Sequence, residues 1–354
     1  MQKDFHHAVT YVLSRLTGFE HKEANIIAYS AQYVDDATNS GTIQFKNGAM
    51  YSRISSAHGT YDVNHHLNQH ENHLVWVPFH FLPGNNGKSE GENTEGRFIN
   101  KLICKPDSMV ARKMLDYCIR DAHKNYALHR LGITMHVYAD TYAHQGFAGK
   151  IHEVNKVSDL ILKNEKLSFM DEKKSQGLSD RFPMGHGAAL ECPDKPYLIW
   201  SYTNGLGEKI ERNNTDIFMN AVRTMIGELS RYRYELDNEA NLPNPTDSDY
   251  TKIEENFKSF ISPEGDKRWE EWIVSIGNGD FSFGPQKLDY IPKGSGSWKY
   301  KAINQQSFFD NIRDRFDYKD GFLDSDWKLF HDALQEHRLT IIHDVLPRFG
   351  ICVS

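Results

Sequence analysis

The chain lacks a Cys-x-x-Cys pair, a long apolar run, any internal repeat or low-complexity tract, and any surplus of positive charge. Each absence removes a class of protein. Its four cysteines, Cys104, Cys118, Cys192 and Cys352, are too scattered for a thiolate zinc site or a disulfide framework, so reduced and mostly buried thiols are expected. A spanning helix takes about 18 or more consecutive apolar residues, and none is present, so no membrane span is expected. The N-terminal Met-Gln-Lys-Asp-Phe-His-His has no apolar signal core. The expected location is therefore cytoplasmic, or exported by a route that uses no N-terminal signal peptide. A formal net charge of -7 speaks against a surface that coats nucleic acid, which needs clustered Lys and Arg. It leaves open a phosphate held by metal ions.

What the chain does have is histidine, unevenly placed. Of 18 histidines, only His331, His337 and His343 lie beyond position 186. Histidine chemistry, if used, belongs to the N-terminal half. With 354 residues, 25% charged and 12% aromatic, the chain can bury a full core without staples.

The stretch Gly132 to Phe147 (GITMHVYADTYAHQGF) sets His136, Asp140 and His144 four residues apart. Each step of four advances about 40° round a helix, so the three side chains share a stripe roughly 80° wide. Leu131, Ile133, Met135, Val137, Tyr138 and Tyr142 surround them, which predicts an inward-facing stripe. Two imidazoles and a carboxylate are ligands for a metal of the zinc class, and a buried carboxylate needs a counter-charge. The same spacing also arises as an ion pair on a solvated helix face. His129, seven residues before His136, falls on nearly the same face and is a reserve ligand.

Along the chain, Ala8 to Gly18 reads as a helix closed by glycine, and His21 to Tyr33 as an amphipathic helix running into Val34-Asp35-Asp36. Two carboxylates at a helix C-terminus oppose its dipole and want a cation, unless a solvated loop starts there. Residues 38 to 73, with His65, His66, His70 and His73, read as polar loop, and Leu74 to Pro83 as an extended aromatic segment carrying His80. Gly84 to Gly96 reads as a loop. A long helix from Ser108 is either continuous with the His136 helix or broken near Gly132.

Ser158 to Asn164 is expected to be helical, and Phe182 to Asp194 to be a loop in which Gly185 and Gly187 flank His186. Helices are expected over Thr215 to Leu236, Tyr250 to Phe260, Arg268 to Ile276 and Asp324 to Pro347, with Gly277 to Ser297 irregular. The predicted fold class is mainly α, a multi-helix bundle with long loops. The expected organisation is a helical metal-binding core over 1–240 and a mostly helical extension, 241–354, packed on it and available to a protein partner.

Taken in order, His6, Asp35, His80-Phe81, His136-x-x-x-Asp140 with His144, and His186 form a pattern. It resembles the superfamily of zinc-dependent phospholipases C and fungal single-strand zinc nucleases, and in particular a bacterial branch that begins Asp-Phe-His and carries Tyr-Val-Asp-Asp. The match spans roughly residues 4 to 195. The resemblance implies a mostly helical fold, one to three zinc or other divalent ions, and a phosphoester substrate. A phospholipid headgroup is the first such substrate, and a polynucleotide or small phosphodiester the second.

It further implies Asp35, His80, His136 and Asp140 around one metal, and Asp140 bridging to a second metal near His6. Asp4 would replace the N-terminal tryptophan and freed amine of secreted members. A third metal would lie at His144 and His186 with Glu191, which stands one residue further on than the family's glutamate; Asp194 competes for that place. The family's third helix histidine also sits further on than His144. Asp35 or Asp36 would orient or deprotonate the attacking water, and Trp76, Phe79, Tyr138 and Tyr142 would shape a cleft or simply fill core. A metal- or partner-binding protein without catalysis, and a histidine-rich structural protein without metal, are the readings outside this class.

Overall fold

The computed structural model describes residues 1–58, 69–237, 242–305 and 314–352, with side chains for all of these except 69–72. His65, His66 and the side chain of His70 lie outside the described residues. The chain opens with a π-helical turn, Asp4–Val9, that continues directly into α1 (Thr10–Leu16); Gly18 closes it at φ 89°. Next comes α2 (His21–Asp36), started by a reciprocal capping box between Glu20 and Glu23 and ending on the Asp35-Asp36 pair.

A hairpin of β1 (Gly41–Phe45) and β2 (Met50–Arg53) follows, where the polar composition predicts loop. One face of β1 is apolar, and Ile43 and Phe45 are buried by it. The segment expected to be extended is the end of a helix instead: α3 (Gln69–Phe79) contains Pro78, and the amides of His80 and Phe81 both donate to the Trp76 carbonyl, at 3.0 and 2.7 Å. Proline is tolerated there because few helical residues follow it. Val75, Val77 and Phe79 are all buried, so the run shows no period that separates helix from strand.

After the short α4 (Ile99–Leu102) come α5 (Met109–Arg120), capped by the Ser108 hydroxyl, and α6 (Ala127–Ala143). The break between them falls at residues 121–126 rather than near Gly132. Next are β3 (Val157–Leu162), α7 (Phe169–Arg181), β4 (Ile199–Asn204), β5 (Lys209–Asn213) and α8 (Asn214–Leu236). The helix expected over Ser158 to Asn164 is thus strand β3, an edge strand with a register shift between Ser158 and Ile161, where Asp159 has φ 50°.

The remaining elements are α9 (Asp247–Ser259), α10 (Gly265–Asn278), α11 (Trp298–Ile303), β6 (Arg315–Phe316) and α12 (Asp326–Leu339). A π-turn over Thr340–Val345 and a 3-10 turn over Leu346–Phe349 complete the described chain.

Two three-stranded sheets, ordered β2-β1-β6 and β3-β4-β5, accompany the helices. The fold is therefore mostly helical but mixed, not purely α. No described helix is long and apolar enough to cross a membrane.

Helix α6 is the centre of the molecule: every residue from His129 to Ala143 is buried. It lies so close to α2 that a Cβ on Gly132 would sit 2.3 Å from the Ile27 carbonyl oxygen. The largest apolar cluster joins Phe5, Leu13 and Met135 to Phe257, Trp272 and Val345, so segments before and after position 240 fill one core.

Candidate metal centre

Four separate segments bring nitrogen and oxygen donors to the buried stripe of α6. His136 and Asp140 stand on the helix, and His144 is its C-cap residue. Asp35 comes from the last turn of α2 and His80 from just beyond α3. His6 comes from the N-terminal π-turn, and His186 and Asp194 from the loop before β4. His6, His136 and Asp140 are 1% exposed or less, and His80, His144 and Asp194 at most 6%. The side chains of Asp35 and His186 are more open, at 33% and 20%.

The backbone decides which ring nitrogen of each histidine faces the nest. His136 Nδ1 donates to the Ala31 carbonyl at 2.8 Å, His144 Nδ1 to the His80 carbonyl at 2.7 Å, and His186 Nδ1 to the Leu190 carbonyl at 2.9 Å. His80 uses the other nitrogen, with Nε2 donating to the Ser56 carbonyl at 2.9 Å. A carbonyl can only accept, so each of these nitrogens carries a proton, and in the neutral ring the opposite one is left as a lone-pair donor. This is how metal-ligating histidines are commonly oriented.

The donors converge in three groups. Asp35, His80 and His136 form one, His6, His136 and Asp140 a second, and His144, His186 and Asp194 a third. Asp140 links them. Its Oδ2 lies 3.4 Å from His80 Nδ1 and 3.3 Å from His136 Nε2, and its Oδ1 lies 3.2 Å from His6 Nε2. His80 Nδ1 and His136 Nε2 are 3.3 Å apart, and each is 3.8 to 3.9 Å from Asp35 Oδ1. Four donors at zinc bond lengths form a tetrahedron with edges of about 3.3–3.6 Å, close to these spacings. In the third group, Asp194 lies 3.8 Å from both His144 Nε2 and His186 Nε2. Neither ring nitrogen of His6 has a hydrogen-bond partner, and neither does Asp194 Oδ1. Orphaned buried donors of these types fit a bound cation.

The charge balance points the same way. Burial lowers the pKa values of His6, His136 and His144 to about 4, so all three are neutral, the state in which imidazole ligates metal. Burial also raises Asp35, to about 6. Asp140 is held well below the usual carboxylate range: burial alone would raise it, but His144, the Met1 amine and two further histidines outweigh that. His80 is the exception among the histidines. Burial opposes its charge, yet hydrogen bonding to Asp140 and the charge of Asp35 raise its pKa. The carboxylates of the nest thus draw positive charge onto whatever can carry it.

The Met1 amine carries positive charge there as well. Fully buried, it donates to Asp140 Oδ1 at 2.5 Å and lies 3.4 Å from Asp194 Oδ1. Burial lowers its pKa, but the two carboxylates overcome this and raise it to about 10.

Asp4, expected to be a ligand, is not at the nest. Its Oδ2 accepts from Arg268 Nε at 2.6 Å, because the turn of the π-helix sends Asp4 towards α10 while His6 faces Asp140. Glu191 is exposed, and Asp194, three residues on, holds the place expected of it. The 3-10 turn Cys192–Asp194 is fixed by Asn214, whose Nδ2 donates to the carbonyls of Cys192 and Lys195 at 2.6 and 2.8 Å. Asp36 accepts from the Tyr290 hydroxyl at 2.6 Å and Gln32 Nε2 at 3.2 Å and belongs to none of the three groups.

His129 is paired with Asp326 at 3.1 Å, away from the stripe's donors. Phe79, Tyr138 and Tyr142 are core, whereas Trp76 is partly exposed and its ring lies 5.3 Å from that of His80. Phe81 stacks on His144 at 4.6 Å, and only a glycine fits at 185, where a Cβ would meet the Phe81 ring at 2.3 Å. Sequence reasoning missed the Met1 amine and Arg212. The latter caps the carbonyls of Tyr142 and Ala143 at 3.1 and 2.9 Å and so steadies the end of α6 that carries His144.

The family described as "Family of unknown function (DUF6765)" matches residues 1–345. No curated protein and no solved structure matches the chain.

Proposed function

Since the chain belongs to the DUF6765 family, whose function is unknown, its activity has to be read from the nest itself, and we propose that this nest is the multinuclear metal centre of a phosphoester hydrolase. The observation that carries the reading is the shared carboxylate: Asp140 stands between donor groups whose histidines are oriented by backbone carbonyls. Zinc is the metal proposed, because the donors are imidazole nitrogens and carboxylate oxygens at near-tetrahedral spacing.

Asp35, His80, His136 and Asp140 would hold one ion. His6 and the second oxygen of Asp140 would hold another, and His144, His186 and Asp194 a third. Bound there, metal would neutralise phosphate oxygens and make a water acidic enough to ionise near neutral pH. The chain's own groups complete the site. Asp35, the most exposed carboxylate of the nest and one whose pKa burial raises to about 6, is placed to accept the proton of an incoming water. His186 is the other partly open donor. Asp36, held by Tyr290 and Gln32, buttresses the end of α2 rather than meeting substrate.

The order of these donors along the chain resembles that of the zinc-dependent phospholipases C and single-strand zinc nucleases, with Asp194 in place of their late glutamate, and this supports a phosphodiester substrate. The net charge of -7 favours a phospholipid headgroup over a polynucleotide. The near-closure of the nest supports a second reading, a metal-binding protein without turnover.

One experiment separates them. The purified chain is analysed for metal and assayed on a chromogenic phosphodiester, before and after chelation and with zinc returned. Hydrolysis that follows the metal and vanishes in His136→Ala supports the hydrolase; stoichiometric metal without hydrolysis supports the binder, and no metal under any condition overturns both. Parallel assays on phosphatidylcholine vesicles and single-stranded DNA then assign the substrate class.

A further inference from the structure

Helix α10 grips residues 1 to 7, whose turn also packs Phe5 against Phe218 and Phe257. Arg268 of α10 is fully buried and uses all three of its guanidinium nitrogens. Nε donates to Asp4 at 2.6 Å, Nη2 to Gln2 Oε1 at 2.7 Å, and Nη1 to the Ser262 carbonyl at 2.7 Å. The neighbouring positions add to the grip. Lys3 Nζ pairs with Asp266 at 2.9 Å and lies 3.8 Å above the Trp269 ring, and the Trp269 indole nitrogen donates to His7 Nδ1 at 3.0 Å. Gly265 permits this approach, since a Cβ there would lie 2.5 Å from Gln2 Oε1. The product of these contacts is the position of two groups beside Asp140 Oδ1, the Met1 nitrogen at 2.5 Å and His6 Nε2 at 3.2 Å.

We infer that Arg268 is a positioning residue for the metal centre: by clamping Asp4 and Gln2 it delivers His6 to the bridging carboxylate, and so builds the second metal site from a helix distant in the chain. The inference rests on the metal reading proposed above. A buried Arg–carboxylate pair is weak evidence for stability as such, because desolvation opposes its attraction. Its bidentate-capable, rigid fork suits a geometric task. Removing the fork frees the first turn to withdraw from Asp140 while leaving the donors on α2, α3 and α6 untouched.

The test uses the full-length chain, stripped of metal and titrated with zinc against a chromogenic chelator, with cobalt(II) substituted in parallel so that its visible spectrum reports coordination. Wild type, Arg268→Gln, Arg268→Lys and Asp4→Asn are compared, and apoprotein circular dichroism monitors folding. The expected result is that Arg268→Gln and Asp4→Asn lose one zinc equivalent or bind it at least tenfold more weakly, with a matching loss in the cobalt spectrum. The remaining equivalents keep their affinity, and Arg268→Lys falls between. Asp4→Asn preserves size and serves if Arg268→Gln does not fold. Unchanged stoichiometry and affinity in folded Arg268→Gln or Asp4→Asn overturns the inference and leaves the metal reading standing. An equal weakening of every equivalent also overturns it, since that is what general destabilisation gives. A wild-type chain that takes up no zinc overturns both.

Discussion

At the level of single residues, the carboxylates of the 186–194 loop pose the sharpest question. Spacing from His186 favours Glu191, by likeness to a His-x-x-x-Glu pattern with one residue added. The structure exposes Glu191 and buries Asp194 between His144 and His186, where its Oδ1 makes ion pairs but no hydrogen bond. A ligand removed is worth more than an outer contact, whose loss costs about 10–100-fold in metal affinity. Asp194→Asn is therefore expected to weaken zinc binding by at least about 100-fold, and Glu191→Gln to leave it unchanged, both read by chelator competition. Equal behaviour of the two variants would remove Asp194 from the centre. His136 belongs to two of the three donor groups. His136→Ala is accordingly expected to lower the number of bound ions more than His186→Ala does, as counted by elemental analysis of the purified variants.

Among elements, the pairing of α2 with α6 makes the proposed centre possible, because it sets Asp35 against His136 and offers the Ala31 carbonyl to its ring. Gly132 fixes that distance. A methyl group there meets backbone and the Ser30 side chain, at 2.3 and 2.6 Å, so relief requires the two helices to separate. Overpacking of this kind costs about 1–3 kcal/mol or more. Gly132→Ala, harmless or helpful in an isolated helix, is expected to lower the midpoint of urea unfolding and to weaken zinc binding as well. A variant with wild-type midpoint and affinity would show that the helices yield freely.

The elements also show where the sequence was legible. The stripe on α6, the acidic end of α2 and the glycines beside His186 could be read, because period and chain order carry them. The end of α3 could not, because a continuous apolar run around Pro78 has no period of its own. Nor could β3, whose exposed and half-buried residues take their conformation from pairing with β4. The burial of Met1 beside Asp140 leaves no mark in sequence, since it follows from long-range contacts of the first turn with α10 and the core.

For the molecule as a whole, proton binding sets the conditions under which all this holds together. His331 and His337 of α12 are buried outside the nest, 3% and 0% exposed. Burial, followed by the charges of Arg53 and Lys299, lowers the pKa of His331 to about 3, and burial holds that of His337 well below its ordinary value, against the pull of the Pro78 carbonyl. The unfolded chain, with histidine near 6.5, binds more protons than the folded one at mildly acid pH. Stability from these groups is thus fully present above about pH 6.5 and falls as pH drops towards the folded value. At pH 5 the loss is roughly 2 kcal/mol for His331, and His337 acts in the same direction.

Chelator-treated protein is therefore expected to show a lower urea midpoint at pH 5 than at pH 7.5. His331→Gln should narrow that gap even if it lowers both midpoints. On the proposed reading zinc would add to the same slope, because protons compete for the imidazoles that would hold it, and its stabilisation would amount to about 4 kcal/mol per ion at a thousandfold excess over the dissociation constant. Zinc-loaded protein should consequently be far more stable than apoprotein at pH 7.5 and lose most of that difference by pH 5. Apo and loaded forms with the same midpoint at pH 7.5 would mean that the donors around Asp140 hold no ion worth the name.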